Sequence, residues 1–105
     1  MKSVNLAYGR KGLRLSLPDS VDVIHPSFVP GLPDESNSIR QALRQPIGSP
    51  ALTDLVKNQD RVVIVHTDIT RATPNNRILP VLLAELQESG IPPENITLLN
   101  GLGTH

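Results

Sequence analysis

Residues 61–66 read Arg-Val-Val-Ile-Val-His, and this run decides the fold. Four consecutive β-branched residues favour an extended strand, and the run has no polar face. A strand of that kind belongs in a parallel sheet covered on both sides. Downstream, Ile78, Leu79, Leu82, Leu83 and Leu86 recur at helical spacing. Gly90 stops that helix, and Pro92-Pro93 follow it. Pro80 is expected to loosen the first turn or so. Ile96-Thr97-Leu98-Leu99 supplies a second apolar strand. Strand, helix and strand over 61–100 make a βαβ unit with a parallel pair, so the class is α/β.

Upstream the chain is less regular. Leu13, Leu15 and Leu17 alternate with Arg14 and Ser16, the period of a half-buried strand. Val21 to His25 is a second short strand candidate, expected to pair with the first through a Pro18-Asp19-Ser20 turn. Residues 26–35 carry three prolines and a glycine and read as an extended loop. Ser36 opens a helical stretch with Ile39, Ala42 and Leu43 on one face, closed before Pro46. Ser49-Pro50 reads as another helix start, with Ser as the cap and Leu52, Leu55 and Val56 as its buried stripe. The organisation is therefore one domain over 1–105, a β/loop segment at 1–35 and an α/β segment at 36–105.

Composition narrows the function classes. Of 105 residues, 33 are Leu, Ile, Val or Phe, enough to expect a core, and with one Phe and one Tyr that core is aliphatic. Ten basic and ten acidic residues balance and are scattered, so nucleic acid is an unfavoured partner. The absence of cysteine removes disulfides, thiolate metal sites and thiol nucleophiles, and fits a cytoplasmic protein. No apolar run approaches the ~20 residues of a membrane span, and no membrane partner is expected.

Chemistry concentrates beyond the carboxyl ends of the two parallel strands, where open α/β sheets bind ligands. Asp68-Ile69-Thr70-Arg71 follows the first strand, and Asn100-Gly101-Leu102-Gly103-Thr104-His105 follows the second. In a βαβ unit both segments leave the same edge, which brings Asp68, Thr70, Arg71 and His105 towards one another. Arg71 offers a planar fork of donors for a carboxylate or phosphate. Thr70, Thr73 and Asn75 precede a helix whose N-terminal amides favour an anion. His105 is a candidate acid or base near neutral pH. Plainer roles stand beside these: Asp68 and Thr70 as caps, Arg71 as a surface cation, Gly101 and Gly103 as turn residues, His66 as a hydrogen-bonded structural histidine. On residue chemistry alone, an α/β phosphate- or nucleotide-binding module and an interaction module remain open beside an enzyme.

Three motifs occur in order: Pro-Ile-Gly-Ser-Pro at 46–50, Asp-Ile-Thr-Arg at 68–71, and Gly-Thr-His at 103–105. With the sequence between them, they resemble the N-terminal region of the nickel-dependent lactate racemase family, closely over about 45–105 and more loosely over 8–44. The resemblance implies a racemase or epimerase of small 2-hydroxy acids working with a nickel-pincer nucleotide. It implies that Asp68, Ile69, Thr70 and Arg71 contact that cofactor, that Arg71 also holds the substrate carboxylate, and that His105 is a catalytic acid/base. No nickel ligand is expected within this chain. Ala72 and Leu102 depart from the family pattern, which commonly has proline and threonine there. The resemblance further implies an N-terminal piece of a longer protein, inactive by itself and prone to self-association through an uncovered face.

Overall fold

A computed structural model describes residues 1–104. The chain divides into two units, residues 1–30 and 31–105.

In the first unit, β1 (Lys2–Leu6) pairs antiparallel with β2 (Leu13–Leu17), in the register Lys2↔Leu17 to Leu6↔Leu13. The hairpin expected between 13–17 and 21–25 is therefore corrected, since the partner of β2 lies upstream and 21–25 forms no strand. The two loops explain the choice. Gly9 and Gly12 of the 7–12 loop adopt φ +55° and +72°, and the Gly12 amide donates to the Tyr8 carbonyl at 3.0 Å. Hairpin loops that match strand twist need such positive-φ positions. The 18–21 segment does turn, with Val21 N–H on the Pro18 carbonyl, but it offers no glycine. Lys2 Nζ donates to the Val21 carbonyl at 2.8 Å, and the N-terminal ammonium pairs with Asp19 at 2.8 Å, so both tie the turn to β1.

The second unit begins with α1 (Glu35–Arg44). Its cap is Asp34 rather than Ser36: the Asp34 carboxylate accepts from the Asn37 amide at 3.0 Å. The short α2 (Leu52–Leu55) is capped by Ala51 without a side-chain bond. Ser49 donates instead to the Pro50 carbonyl, and Ala51 is extended at ψ 151°, so the expected Ser49-Pro50 start does not form. Val56 caps this helix in extended conformation, and Leu55 is exposed.

The βαβ unit is present. β3 (Val62–Thr67) and β4 (Ile96–Gly101) are parallel neighbours in the register Val62↔Ile96 to Thr67↔Gly101, joined through α3 (Asn75–Glu88). α3 continues through Pro80, which sits near its solvent side and within its second turn. Expected cover on both faces of the sheet is not found. Val62 and Ile64 are half-buried, whereas Val63 and Val65 are 59% and 66% exposed. The side chains of Val63 and Val65 are left open, and in β4 the adjacent Leu98 and Leu99 are exposed as well.

The C-terminus of α3 shows how its end is fixed. Gly90, at φ +92°, donates to the Gln87 carbonyl, and Ile91 N–H reaches back to the Leu86 carbonyl at 3.1 Å. This pair of bonds is a Schellman motif, and its usual apolar contact falls between Leu86 and Ile91, both fully buried. A Cβ on Gly90 would lie 3.3 Å from Cβ of Asn58. Gly90→Ala is therefore expected to cost about 1–2 kcal/mol from the backbone alone. Denaturant titration should show a lower midpoint at unchanged slope.

α1 packs on α3 through Glu85, a carboxylate on the buried side of α3. Arg44 clasps it with Nε at 2.9 Å and Nη2 at 2.9 Å, and Arg40 Nε adds a third bond at 3.0 Å. The Arg44 hydrogen bond holds the Glu85 carboxyl below its usual value of 4.5, against the opposing effect of burial. Glu85 also holds Arg44 above its usual range. The unfolded chain thus binds the Glu85 proton more tightly than the folded one. Stability from this clasp is present above pH 4.5 and is lost as pH falls through the lowered folded value. Thermal midpoints between pH 7 and pH 3 should fall more steeply for the native chain than for Glu85→Gln.

Candidate functional site

β3 and β4 end level, at the pair Thr67↔Gly101, so the segments that follow them leave the same edge of the sheet. The first segment is stitched locally. Asp68 Oδ1 accepts from the Thr70 amide at 2.9 Å and from the Thr70 hydroxyl. The Arg71 amide donates to the Asp68 carbonyl at 3.2 Å, closing a turn over 68–71. Asn75, the first residue of α3, donates through Nδ2 to the Thr67 carbonyl at 2.9 Å and to Thr67 Oγ1 at 3.2 Å. The loop from 68 to 74 is thereby closed at its base.

The two segments also meet directly. Gly103 N–H donates to Asp68 Oδ2 at 3.2 Å, across 35 positions of sequence. Convergence of the Asp-Ile-Thr-Arg loop with the glycine-rich segment is thus built by a side-chain carboxylate. Asp68 is buried at 7% exposure, whereas Ile69 is 99% exposed and Thr70 and Arg71 are exposed. Arg71 has no ion-pair partner among the described residues. The arrangement presents an apolar side chain and a guanidinium at the strand ends, with a carboxylate turned inward beneath them. That pattern suits a planar or carbon-rich guest carrying a carboxylate or phosphate. His105, the expected acid/base, lies outside the described residues.

Two glycines have distinct roles. A Cβ on Gly101 would meet the His66 carbonyl oxygen at 3.3 Å, so this glycine serves close approach of β4 to β3. Gly103 supplies the amide that Asp68 accepts. His66 is hydrogen-bonded to the backbone: Nδ1 lies 3.0 Å from the Thr67 carbonyl, which only accepts, so Nδ1 donates. An apolar groove of about 260 Å³ lies between α1 and α3, lined by Leu32, Ile39, Pro74 and Ile78 with the Arg77–Glu35 ion pair. It is smaller than typical ligand pockets, and none of the candidate site residues named from the sequence lines it. Sequence reasoning missed Asn75 as the brace of the loop and Glu85 as the centre of the helix clasp. A carboxylate four residues after Val81 on the apolar side of α3 was the available signal for the second.

Comparison with known proteins agrees with this architecture. The lactate racemase N-terminal domain family matches residues 8–105. The chain belongs to that family. It is 30% identical over 109 aligned positions to a lactate racemase of Thermoanaerobacterium thermosaccharolyticum, covering 100% of this chain and 25% of that protein. A lactate racemase of Lactiplantibacillus plantarum is 35% identical over 71 positions, covering 68% of this chain and 16% of that protein. The structure of the lactate racemase apoprotein from T. thermosaccharolyticum superposes with a TM-score of 0.74 at 29% identity, over 99% of this chain and 24% of that one. The chain spans about a quarter of the first of these relatives. Among the described residues, no helix is long and apolar enough to cross a membrane, and no cluster of side chains is suited to ligate a metal ion.

Proposed function

We propose that the protein carrying this chain interconverts the enantiomers of a small 2-hydroxy acid, and that residues 68–71 and 103–105 form part of its site. The observation that carries this reading is the Asp68–Gly103 bond, which joins the 68–71 loop to the segment after β4 in a chain of the lactate racemase N-terminal domain family. Arg71 takes the substrate carboxylate in a bidentate grip. His105 accepts the hydroxyl proton as the α-carbon gives up its hydride, so the substrate passes through the 2-keto acid. The His105 imidazolium would return the proton to oxygen when the 2-keto acid is reduced on its opposite face, which gives the other enantiomer. A nickel-pincer nucleotide, when bound, supplies the acceptor and donor of that hydride. The exposed Ile69, Thr70 and Arg71 fit one side of such a group, with an apolar surface for its ring and a cation for its phosphate. Asp68 anchors this loop from below. In this reading the metal takes its ligands from elsewhere in the protein. The isolated chain is therefore inactive in this reading.

The test uses the intact protein with its cofactor and a single lactate enantiomer deuterated at the α-carbon. Racemisation with deuterium retained is expected. No interconversion would refute the racemase assignment, and wash-out of deuterium into solvent would replace hydride transfer by α-proton abstraction.

A further inference from the structure

The last backbone rung of the parallel pair joins Thr67 and Gly101. Beyond it, among the described residues, the two segments are joined by Gly103 N–H on Asp68 Oδ2 at 3.2 Å. The other oxygen of the same carboxylate accepts from the Thr70 amide and hydroxyl. One side chain therefore organises both halves of the strand-end edge: Arg71 lies three residues after Asp68, and His105 two residues after Gly103.

We propose that Asp68 is a positioning residue whose carboxylate sets the 103–104 segment at a fixed distance from the 69–71 loop, and acts on the reaction through that spacing. Electrostatics favours this over direct contact with the guest. A solvent-facing carboxylate beside Arg71 would repel the anion that Arg71 attracts. Asp68 is buried instead, and its charge is spent on protein N–H and O–H donors. Charge-assisted bonds of this kind are stronger than neutral ones, which suits a tie that must hold without help from the backbone ladder.

The functional part of this inference rests on the racemase reading, and the structural part does not. The experiment compares the intact wild-type protein with Asp68→Ala, Gly103→Pro and the double variant. Gly103→Pro removes the donor while leaving every Asp68 contact within the 68–71 loop, so it serves if Asp68→Ala disturbs that loop. Hydrogen exchange of the 102–104 amides should quicken at least about tenfold in Asp68→Ala, with β3 and β4 unchanged. Unchanged exchange would overturn the tie. In racemisation assays each single variant should lose about 10- to 100-fold in kcat, with KM for lactate moving much less. The double variant should lose no more than Asp68→Ala alone, because both singles break one contact. Additive losses, or a change confined to KM, would overturn the positioning role. If the wild-type protein proves to racemise nothing, the racemase reading falls, and the exchange comparison alone decides whether Asp68 fixes the segment.

Discussion

In the proposed racemase, Arg71→Lys and His105→Ala are expected to damage turnover in different ways. Lysine keeps the charge of Arg71 but replaces a planar fork by a single point donor, so the bidentate grip on a carboxylate is lost. A hydrogen bond to a charged group contributes about 1.5–3 kcal/mol, which corresponds to roughly 10- to 150-fold in kcat/KM. The loss should fall mainly on KM, because the substrate carboxylate is held equally in the ground and transition states. On the proposed reading His105→Ala removes the proton acceptor, and its loss of about 10²- to 10⁴-fold should fall on kcat. The residual rate should also lose the pH limb of an imidazole, whose ordinary pKa is about 6.5. Steady-state kinetics on lactate and a pH series check both. Arg71 is exposed and outside every described ion pair, so a thermal melt of Arg71→Lys should match the wild type within about 0.5 kcal/mol. A kcat-only defect in Arg71→Lys would remove it from substrate binding.

The βαβ unit was legible because local signals agree there. The β-branched run at 62–65, the helical spacing of 78–86 and Gly90 with its prolines all report the same topology, and the parallel register follows. The convergence of the two strand ends was legible for the same reason, since a βαβ unit sends both to one edge. The inner wiring of the candidate site was not. Nothing in the residue type of Asp68 says whether its oxygens face a ligand, its own turn or an amide 35 positions away. That choice depends on how far β4 runs, and β4 extends two residues beyond the apolar run, to Gly101. The first unit misled because Leu13–Leu17 has turn residues on both sides. Only the positive-φ glycines at 9 and 12 favour the upstream partner. The β-branched run likewise announces a strand that can be covered on both faces. It cannot say which elements do the covering.

Buried and open aliphatic side chains should differ sharply in what they contribute to stability. Leu86 is 1% exposed and closes the Schellman end of α3 against Ile91, also 1% exposed, with Val81 at 7% nearby on the same helix. Leu86→Ala keeps a strong helix former, so propensity does not account for any loss. What goes is packing, at about 2–5 kcal/mol for a buried leucine, including the cavity left behind. Val63 is also aliphatic and also within a regular element, but it is 59% exposed on the open face of the sheet. If the chain stands alone in solution, Val63→Ala should cost no more than about 0.5 kcal/mol. Denaturant midpoints of the two variants, measured at several protein concentrations, separate the cases. A large, concentration-dependent cost at Val63 would mean that a second copy of the chain covers this face. A small, constant one would mean that Val63, Val65 and Leu99 stand open to solvent. In either case Leu86→Ala must be the costlier at low concentration, because its neighbours come from its own chain.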